Sequence, residues 1–332
     1  MEKTTITGKH PRKGFLAYLR SEYDHQRQNG HICVANNYRS AANSFARFLK
    51  TKGQKDMSFK KLTSLMIADY ESWLQTNGLC KNTTSFYIRT LQSIYNKAVQ
   101  QGLTEDRRPF ANVYRGIAKT TKRAIAPYEV CRLKALDIRT ALIKKGHTGK
   151  RLDNLQQQLT FARDIFIFSF CARGLTFVDL AHMRKSNIKG GMLAYVRRKT
   201  KQRIEVQIEV QMQEIINRHP SQTEYLLPIL TKTEGKETIY QQYRYALYRY
   251  NTHLEMLGKL LGGLKLTSYV SRHSWASAAH QQHVPLSIIS QSMGHDSEKT
   301  TEIYLKSLEC NIINKANHEL LANVFQNEAN DT

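Results

Sequence analysis

The segment Leu266–Leu305 reads LTSYVSRHSWASAAHQQHVPLSIISQSMGHDSEKTTEIYL, and it carries the most informative side chains of the protein. Arg272, His295 and Tyr304 occur in it at intervals that allow a guanidinium, an imidazole and a phenol to meet at one phosphate. A protonated phenol is a poor nucleophile, with a reference pKa of about 10. It becomes effective where arginines compensate the charge that develops on phosphate oxygens and an imidazole exchanges a proton. The segment therefore predicts a covalent phosphoryl-transfer site that needs no metal.

The same segment resembles the C-terminal catalytic box of the tyrosine recombinase (phage integrase) family. The order in that box is H-x-x-R-H, then G-H, then a tyrosine nine residues after the second histidine. The resemblance implies that Arg272 is the second catalytic arginine, His295 the second histidine and Tyr304 the nucleophile. Tyr269 stands where the family has its first histidine. The sequence around Arg272 looks like the branch of DNA invertases and mobile-element integrases found in Bacteroides-type bacteria, and the likeness extends over nearly the whole chain.

The overall charge indicates a polyanionic partner. The chain has 332 residues with 50 Lys and Arg against 27 Asp and Glu, a formal charge of +23. Nucleic acid and an acidic membrane surface both fit this charge, but no run of 18 apolar residues and no lipidation motif favours the membrane. The amino-terminal sequence lacks the apolar core of a secretory signal, so we expect a cytoplasmic, nucleoid-associated protein.

Hydrophobic periodicity divides the chain into two parts. Four amphipathic helices are expected in the first part, and the third of them should end at Asn77-Gly78. A basic stretch without strong periodicity follows, and we place the domain boundary near residue 122. The resemblance implies a mainly α protein, with an N-terminal SAM-like helical core-binding domain over residues 1–122. A mixed, mainly helical catalytic domain with a small β-hairpin or sheet would follow over residues 123–332.

The second part contains one β interruption. Residues 192–198 and 203–210 are rich in β-branched and aromatic side chains, which predicts two strands of a hairpin. Helical periodicity resumes from Glu237. After Tyr304, apolar residues recur at helical spacing to about residue 324, which predicts a further amphipathic segment.

The expected hairpin turn is dense in positive charge. A lysine on such a turn can reach a DNA groove and protonate a leaving 5′ oxygen. The resemblance implies that Lys199 is the family's catalytic lysine, whereas the turn by itself is equally typical of a solvated loop. Three further basic residues of this turn are candidate DNA contacts: Arg197, Arg198 and Lys201.

An upstream segment, CARGLTFVDL at residues 171–180, resembles the family's first arginine box with a shift. Thr176 stands at the usual arginine position, and Arg173 lies three residues earlier, about one helical turn. We therefore assign Arg173 as the first arginine; the alternative is an ordinary cation at a helix end. Asp179 is expected to orient a basic side chain, since a carboxylate beside the phosphate would oppose the stabilisation of negative charge.

The start of one N-terminal helix is a second candidate DNA-binding surface. A solvated helix end is an equal alternative. The candidate residues are Lys81, Asn82, Thr84 and Arg89.

No cofactor or metal is expected. The sequence has no phosphate-binding glycine loop and no carboxylate cluster suited to magnesium. Its five cysteines are widely spaced, which argues against disulfides and structural zinc.

The resemblance implies a site-specific recombinase that acts on double-stranded DNA as a homo-tetramer through a 3′-phosphotyrosyl link. The expected partners are specific recombination sites and accessory DNA-bending proteins. Two rival functions remain open. A type IB topoisomerase would use the same residues on any supercoiled DNA, and a non-catalytic DNA-binding regulator would form no covalent adduct.

Overall fold

The computed structural model describes residues 14–118, 120, 123–295, 297–298 and 301–302. The chain separates between residues 119 and 120 into two compact units. Both are mainly α-helical, and one small antiparallel sheet lies in the second unit.

The first unit contains the four helices that the sequence predicts. Asn77 ends the third helix and Gly78 follows at φ +77°, the left-handed ending expected from this pair. The helices are α1 (Phe15–Gln28), α2 (Ile32–Thr51), α3 (Ser64–Thr76) and α4 (Lys81–Gln100).

Aromatic side chains form the centre of this unit. The rings of Phe45 and Tyr70 meet edge to face with their centroids 5.2 Å apart, and Phe48 packs against both. The buried Tyr70 hydroxyl donates to Ser44 at 2.8 Å, so the core contains no unpaired phenol at this point. Asp56 accepts from two backbone N–H groups in the first turn of α1 and thereby caps that helix.

The second unit is built around one long helix. This helix, α7, packs against five other helices of the unit and supplies many buried apolar residues. The helices are α5 (Pro127–Ala135), α6 (Ile138–Ile143), α7 (Gly149–Cys171), α8 (Phe177–Ala181), α9 (Val210–Arg218), α10 (Lys236–Leu260), α11 (Val270–Gln281) and α12 (Leu286–Met293).

The sheet has three strands in the order β1-β2-β3, all antiparallel. Leu193 pairs with Val206 and Tyr195 with Ile204, so one face of the hairpin is buried against the helices. The strands are β1 (Ile188–Lys189), β2 (Met192–Val196) and β3 (Arg203–Gln207).

The predicted hairpin is correct in place but wrong in extent. Both strands are shorter than expected, and β1 was not foreseen. Val210, predicted to end a strand, is the first residue of α9. A short apolar run such as this one fits a strand or a helix equally well.

Within the described residues, no helix is both long and apolar enough to cross a membrane.

Candidate active site

Arg272 lies at the centre of the candidate site. It is on α11 and only 3% exposed. Its guanidinium donates to the carbonyl oxygen of Gly174 at 2.8 Å and to that of Met293 at 2.6 Å. These bonds connect α11 to the α7–α8 loop and to the end of α12. The charge is therefore held at one position before any phosphate arrives.

His295 is placed beside Arg272 by the end of α12. Gly294 ends that helix in the left-handed conformation, at φ +62°, and turns the chain back toward α11. Arg272 Nη2 lies 3.2 Å from His295 Nε2, and His295 Nδ1 lies 2.7 Å from the buried hydroxyl of Thr301. Because a guanidinium can only donate, Nε2 must accept, so Nδ1 carries the proton and donates to Thr301.

The imidazole is neutral at physiological pH. Burial, followed by the positive charges of Arg272, Arg197 and Lys199, lowers the pKa of His295 to about 3. This shift reflects burial of the ring first and the cations around it second. A bound phosphate would offset part of that charge.

Arg173 lies in the loop between α7 and α8, directly before the residue that contacts Arg272. Its backbone is left-handed, with φ +58°, and Gly174 follows at φ +71°. The expectation that Arg173 lies one helical turn from the usual arginine position is wrong, because this segment is not helical. A Cβ at Gly174 would come within 2.8 Å of Arg272 Cα, so glycine is required for this close approach.

The phenol of Tyr195 shows that three arginines gather here. Burial, followed by Asp179, raises the pKa of Tyr195, and the positive charges of Arg272, Arg197 and Arg173 offset part of that increase. Arg173 therefore lies close enough to act on the same phenol as Arg272, and its role as the first arginine stays a prediction.

Lys199 lies in the exposed turn between β2 and β3, and Arg198 and Lys201 beside it are also exposed. Their positive groups are available to a DNA backbone. Arg197 differs: it is only 5% exposed and donates to the carbonyl oxygen of Gly294. Strand alternation thus directs the Arg197 side chain inward, among the buried cations around His295, and its contact with DNA stays a prediction.

Asp179 orients the backbone of this turn rather than a basic side chain. Its carboxylate accepts from the Arg198 backbone N–H at 2.9 Å and from the Thr176 hydroxyl at 2.6 Å. Thr176, at the position where the family usually has its first arginine, therefore supports the Asp179 carboxylate through this hydrogen bond. The carboxylate joins α8 to the turn that carries Lys199.

Of the two tyrosines singled out in the sequence, the structure describes Tyr269 but not Tyr304. Tyr304 and the amphipathic segment after it lie outside the described residues. Tyr269, at the place of the family's first histidine, is 51% exposed at the start of α11, and its ring lies 5.9 Å from that of His273.

The N-terminal DNA-binding candidates separate into two pairs. Lys81 and Arg89 are exposed, and the Lys81 ammonium lies over the Tyr114 ring at 4.8 Å. Thr84 is only 1% exposed, and the amide group of Asn82 bonds both the N–H and the carbonyl of Ala118. The prediction for Thr84 is wrong, because helix packing buries this side chain; the prediction for Asn82, which is only half-buried, stays a prediction.

Sequence reasoning missed Thr301 and the inward role of Arg197. Thr301 directly follows another threonine, and no local pattern distinguishes the two. Arg197 had a usable signal, because it continues the buried alternation of Leu193 and Tyr195 in β2. The many positive charges of the turn led instead to the prediction that Arg197 is an exposed DNA contact.

This arrangement can bind and polarise a phosphodiester. The buried Arg272 guanidinium and the His295 imidazole lie 3.2 Å apart, and the exposed Lys199 is close enough to lower the pKa of that imidazole. Fixed donors of this kind stabilise charge that develops in a transition state. Among the described residues, no group of three or more His, Cys, Asp or Glu side chains is suited to a metal ion.

Comparison with family models gives two matches. Residues 14–113 match the phage integrase SAM-like domain, and residues 152–310 match the phage integrase family. The two matches together span most of the chain. No curated protein matches it.

Solved structures share the fold at low sequence identity. A lambda integrase dimer bound to a COC' core site has a TM-score of 0.57 at 16% identity, covering 87% of this chain and 76% of that one. The Tn1549 transposon integrase in complex with a circular intermediate DNA has a TM-score of 0.59 at 10% identity, covering 91% and 99%. The XerH recombinase bound to palindromic difH has a TM-score of 0.57 at 14% identity, covering 95% and 99%.

Proposed function

The chain belongs to the phage integrase family and is a tyrosine-type site-specific recombinase, and we propose that it cuts and rejoins DNA through a 3′-phosphotyrosyl intermediate. The observation that carries this proposal is the contact between the buried Arg272 guanidinium and the neutral His295 imidazole. These two groups lie together although 23 positions separate them, and the Arg173 and Lys199 loops border them.

In the proposed step, the phenolic oxygen of Tyr304 forms a bond to phosphorus while the bond from phosphorus to the 5′ oxygen breaks. The phenolic proton passes to solvent, and the 5′ oxygen takes a proton from the Lys199 ammonium. Arg173 and Arg272 stabilise the charge on the non-bridging oxygens, and His295 joins them once its ring proton moves from Nδ1 to Nε2, so that Nε2 can donate to a phosphate oxygen. The phosphotyrosyl link conserves the bond energy, so the 5′-hydroxyl of a second DNA end can reverse the step without ATP.

We further propose that the products are inversions that control phase variation, by likeness to the Bacteroides-type branch. If short inverted repeats border a segment beside the gene, that segment should flip when the protein acts on it. The measurement is PCR across each junction of a plasmid that carries the two repeats, after incubation with purified protein.

The same plasmid separates the rival functions. A plasmid without repeats serves as the control, and its supercoils should persist because the recombinase requires a defined site. Relaxation of the control plasmid would indicate a topoisomerase. Binding without any new junction on the cognate plasmid would indicate a regulator.

The assembly that we propose on DNA is a homo-tetramer that joins two sites, assisted by accessory DNA-bending proteins in the nucleoid. Support comes from the shared fold, since a lambda integrase tetramer bound to a Holliday junction has that fold as well. Sedimentation of the protein with a four-way junction should give four subunits per junction.

DNA affinity should depend steeply on salt. The formal charge of +23 and the exposed Arg198, Lys199 and Lys201 favour phosphate contacts that release counterions. With about 6 to 10 such contacts, we expect affinity to fall by about 10³- to 10⁵-fold between 50 and 200 mM salt. Fluorescence anisotropy of a labelled duplex measures this slope. A slope near zero would contradict binding through the phosphate backbone.

A further inference from the structure

The turn between β2 and β3 is attached to the His295 loop by three side chains. The Thr200 hydroxyl donates to the Gly294 carbonyl at 3.0 Å, and the Gln202 amide donates to the His295 carbonyl at 3.0 Å. The Arg197 guanidinium donates to the same Gly294 carbonyl. We call these three side chains, Arg197, Thr200 and Gln202, the carbonyl clamp.

The positive side chains of the turn repel one another, so contacts with another part of the protein are needed to hold the turn in place. Five positive side chains occur between residues 197 and 203, and Lys201 adopts a left-handed backbone at φ +62°, which is unfavourable for a residue with a Cβ. Within the turn, two backbone hydrogen bonds close the chain, from Arg197 N to Gln202 O and from Lys201 N to Arg197 O. Two bonds of this kind contribute only about 1 kcal/mol each.

The His295 loop is a firm support for the turn. Arg272 holds the Met293 carbonyl and the His295 ring, and Thr301 holds the other ring nitrogen. Close packing adds to these bonds, since a Cβ at Gly294 would lie 2.7 Å from Ile204 Cδ1. The carbonyls of Gly294 and His295 therefore have fixed positions. Lys199 lies in the sequence between the clamp residues Arg197 and Thr200.

We propose that the carbonyl clamp is a set of positioning residues that holds Lys199 where it can protonate the leaving 5′ oxygen. This inference rests on the proposed function. A lysine on a loosened turn would still contact DNA but would spend less time at the leaving oxygen. Misplacement of a reacting group by about 1 Å costs on the order of 10²-fold in rate.

The test uses the full chain with the double substitution Thr200→Val and Gln202→Met, which removes two donors with little change of volume. Single-turnover formation of the covalent adduct on a nicked duplex should slow by about 10- to 100-fold. The Kd for the same duplex, measured by anisotropy, should change less than about twofold. Thr200→Ser, which keeps the hydroxyl, should restore most of the rate when it replaces Thr200→Val.

A second substrate isolates the role of Lys199. In a duplex with a 5′-bridging phosphorothioate, the leaving group is a thiolate that departs without a proton. Lys199→Ala should be slow on the normal duplex and fast on the sulfur duplex. The clamp variant should show the same rescue, to within about threefold of wild type. Gln207→Met, at the exposed end of β3, is the matched control and should behave as wild type on both substrates.

The outcomes separate this inference from the proposed function. If the clamp variant remains equally slow on the sulfur duplex, or keeps the wild-type rate on the normal duplex, the clamp does not position Lys199. If the wild-type protein forms no adduct on either duplex, the proposed function fails instead. Thermal unfolding of each variant identifies a loss that comes from misfolding. If the double variant misfolds, the same measurements are made on the single variant Thr200→Val.

Discussion

Tyr304→Phe should abolish covalent capture of DNA. Phenylalanine has no oxygen to bond with phosphorus, so adduct formation should fall by a factor on the order of 10⁶, the size expected when a covalent nucleophile is removed. DNA affinity should hardly change, because the phosphate contacts come from the arginines and lysines. The measurement is the yield of SDS-resistant protein–DNA adduct on a nicked cognate duplex.

The control uses another tyrosine of the same chain. Tyr248 is 70% exposed on α10, and Tyr248→Phe should leave the adduct yield unchanged. Digestion of the wild-type adduct should give a DNA-linked peptide that contains Tyr304. An adduct that persists in the Tyr304→Phe protein, or a linked peptide from elsewhere in the chain, would show that the nucleophile assignment is wrong.

Arg272→Ala should slow cleavage by about 10²- to 10³-fold, the cost of removing one fixed donor to developing negative charge. The change also removes the donor to His295 and the donors to two buried carbonyl groups. A buried carbonyl without a partner costs about 1–3 kcal/mol, so the free energy of unfolding should fall too. Single-turnover cleavage measures the first effect, and thermal unfolding measures the second.

Arg272→Lys separates charge from geometry. Lysine keeps the positive charge but cannot reproduce the planar set of donors, so we expect partial recovery of the rate. Arg139→Ala provides the matched arginine loss, because Arg139 forms an exposed pair with Asp153 on the same unit. Cleavage by the folded Arg272→Ala protein at the wild-type rate would exclude Arg272 from the site.

The chemistry of the site follows from residue type and order. Arg272, Gly294 and His295 could be recognised because their order and spacing resemble those of the family's catalytic box. The structure brings the Arg272 and His295 side chains within 3.2 Å, as that reading requires. The four N-terminal helices were predictable for a similar reason, because each places its apolar residues at helical spacing on one face.

The sequence did not predict whether individual polar side chains, such as those of Thr84 and Arg197, point to solvent or into the protein. Thr84 and Arg197 both looked like phosphate contacts, since each lies in a polar, positively charged stretch. Thr84 is buried by helix packing, and Arg197 is directed into the protein by strand alternation. Local sequence reports which groups are present, whereas burial depends on elements that are distant in the chain.

The sequence by itself determined the helical character, the basic charge and the identity of the reactive groups. Only the tertiary structure decided that Gly174 must lack a side chain beside Arg272, that Thr301 holds the His295 ring and that a turn nearly 100 residues away binds the Gly294 carbonyl. The physical reason is the separation along the chain of the groups that interact. Periodicity and helix endings arise from neighbours along the chain, while these contacts require side chains and carbonyls that meet only after the helices have packed.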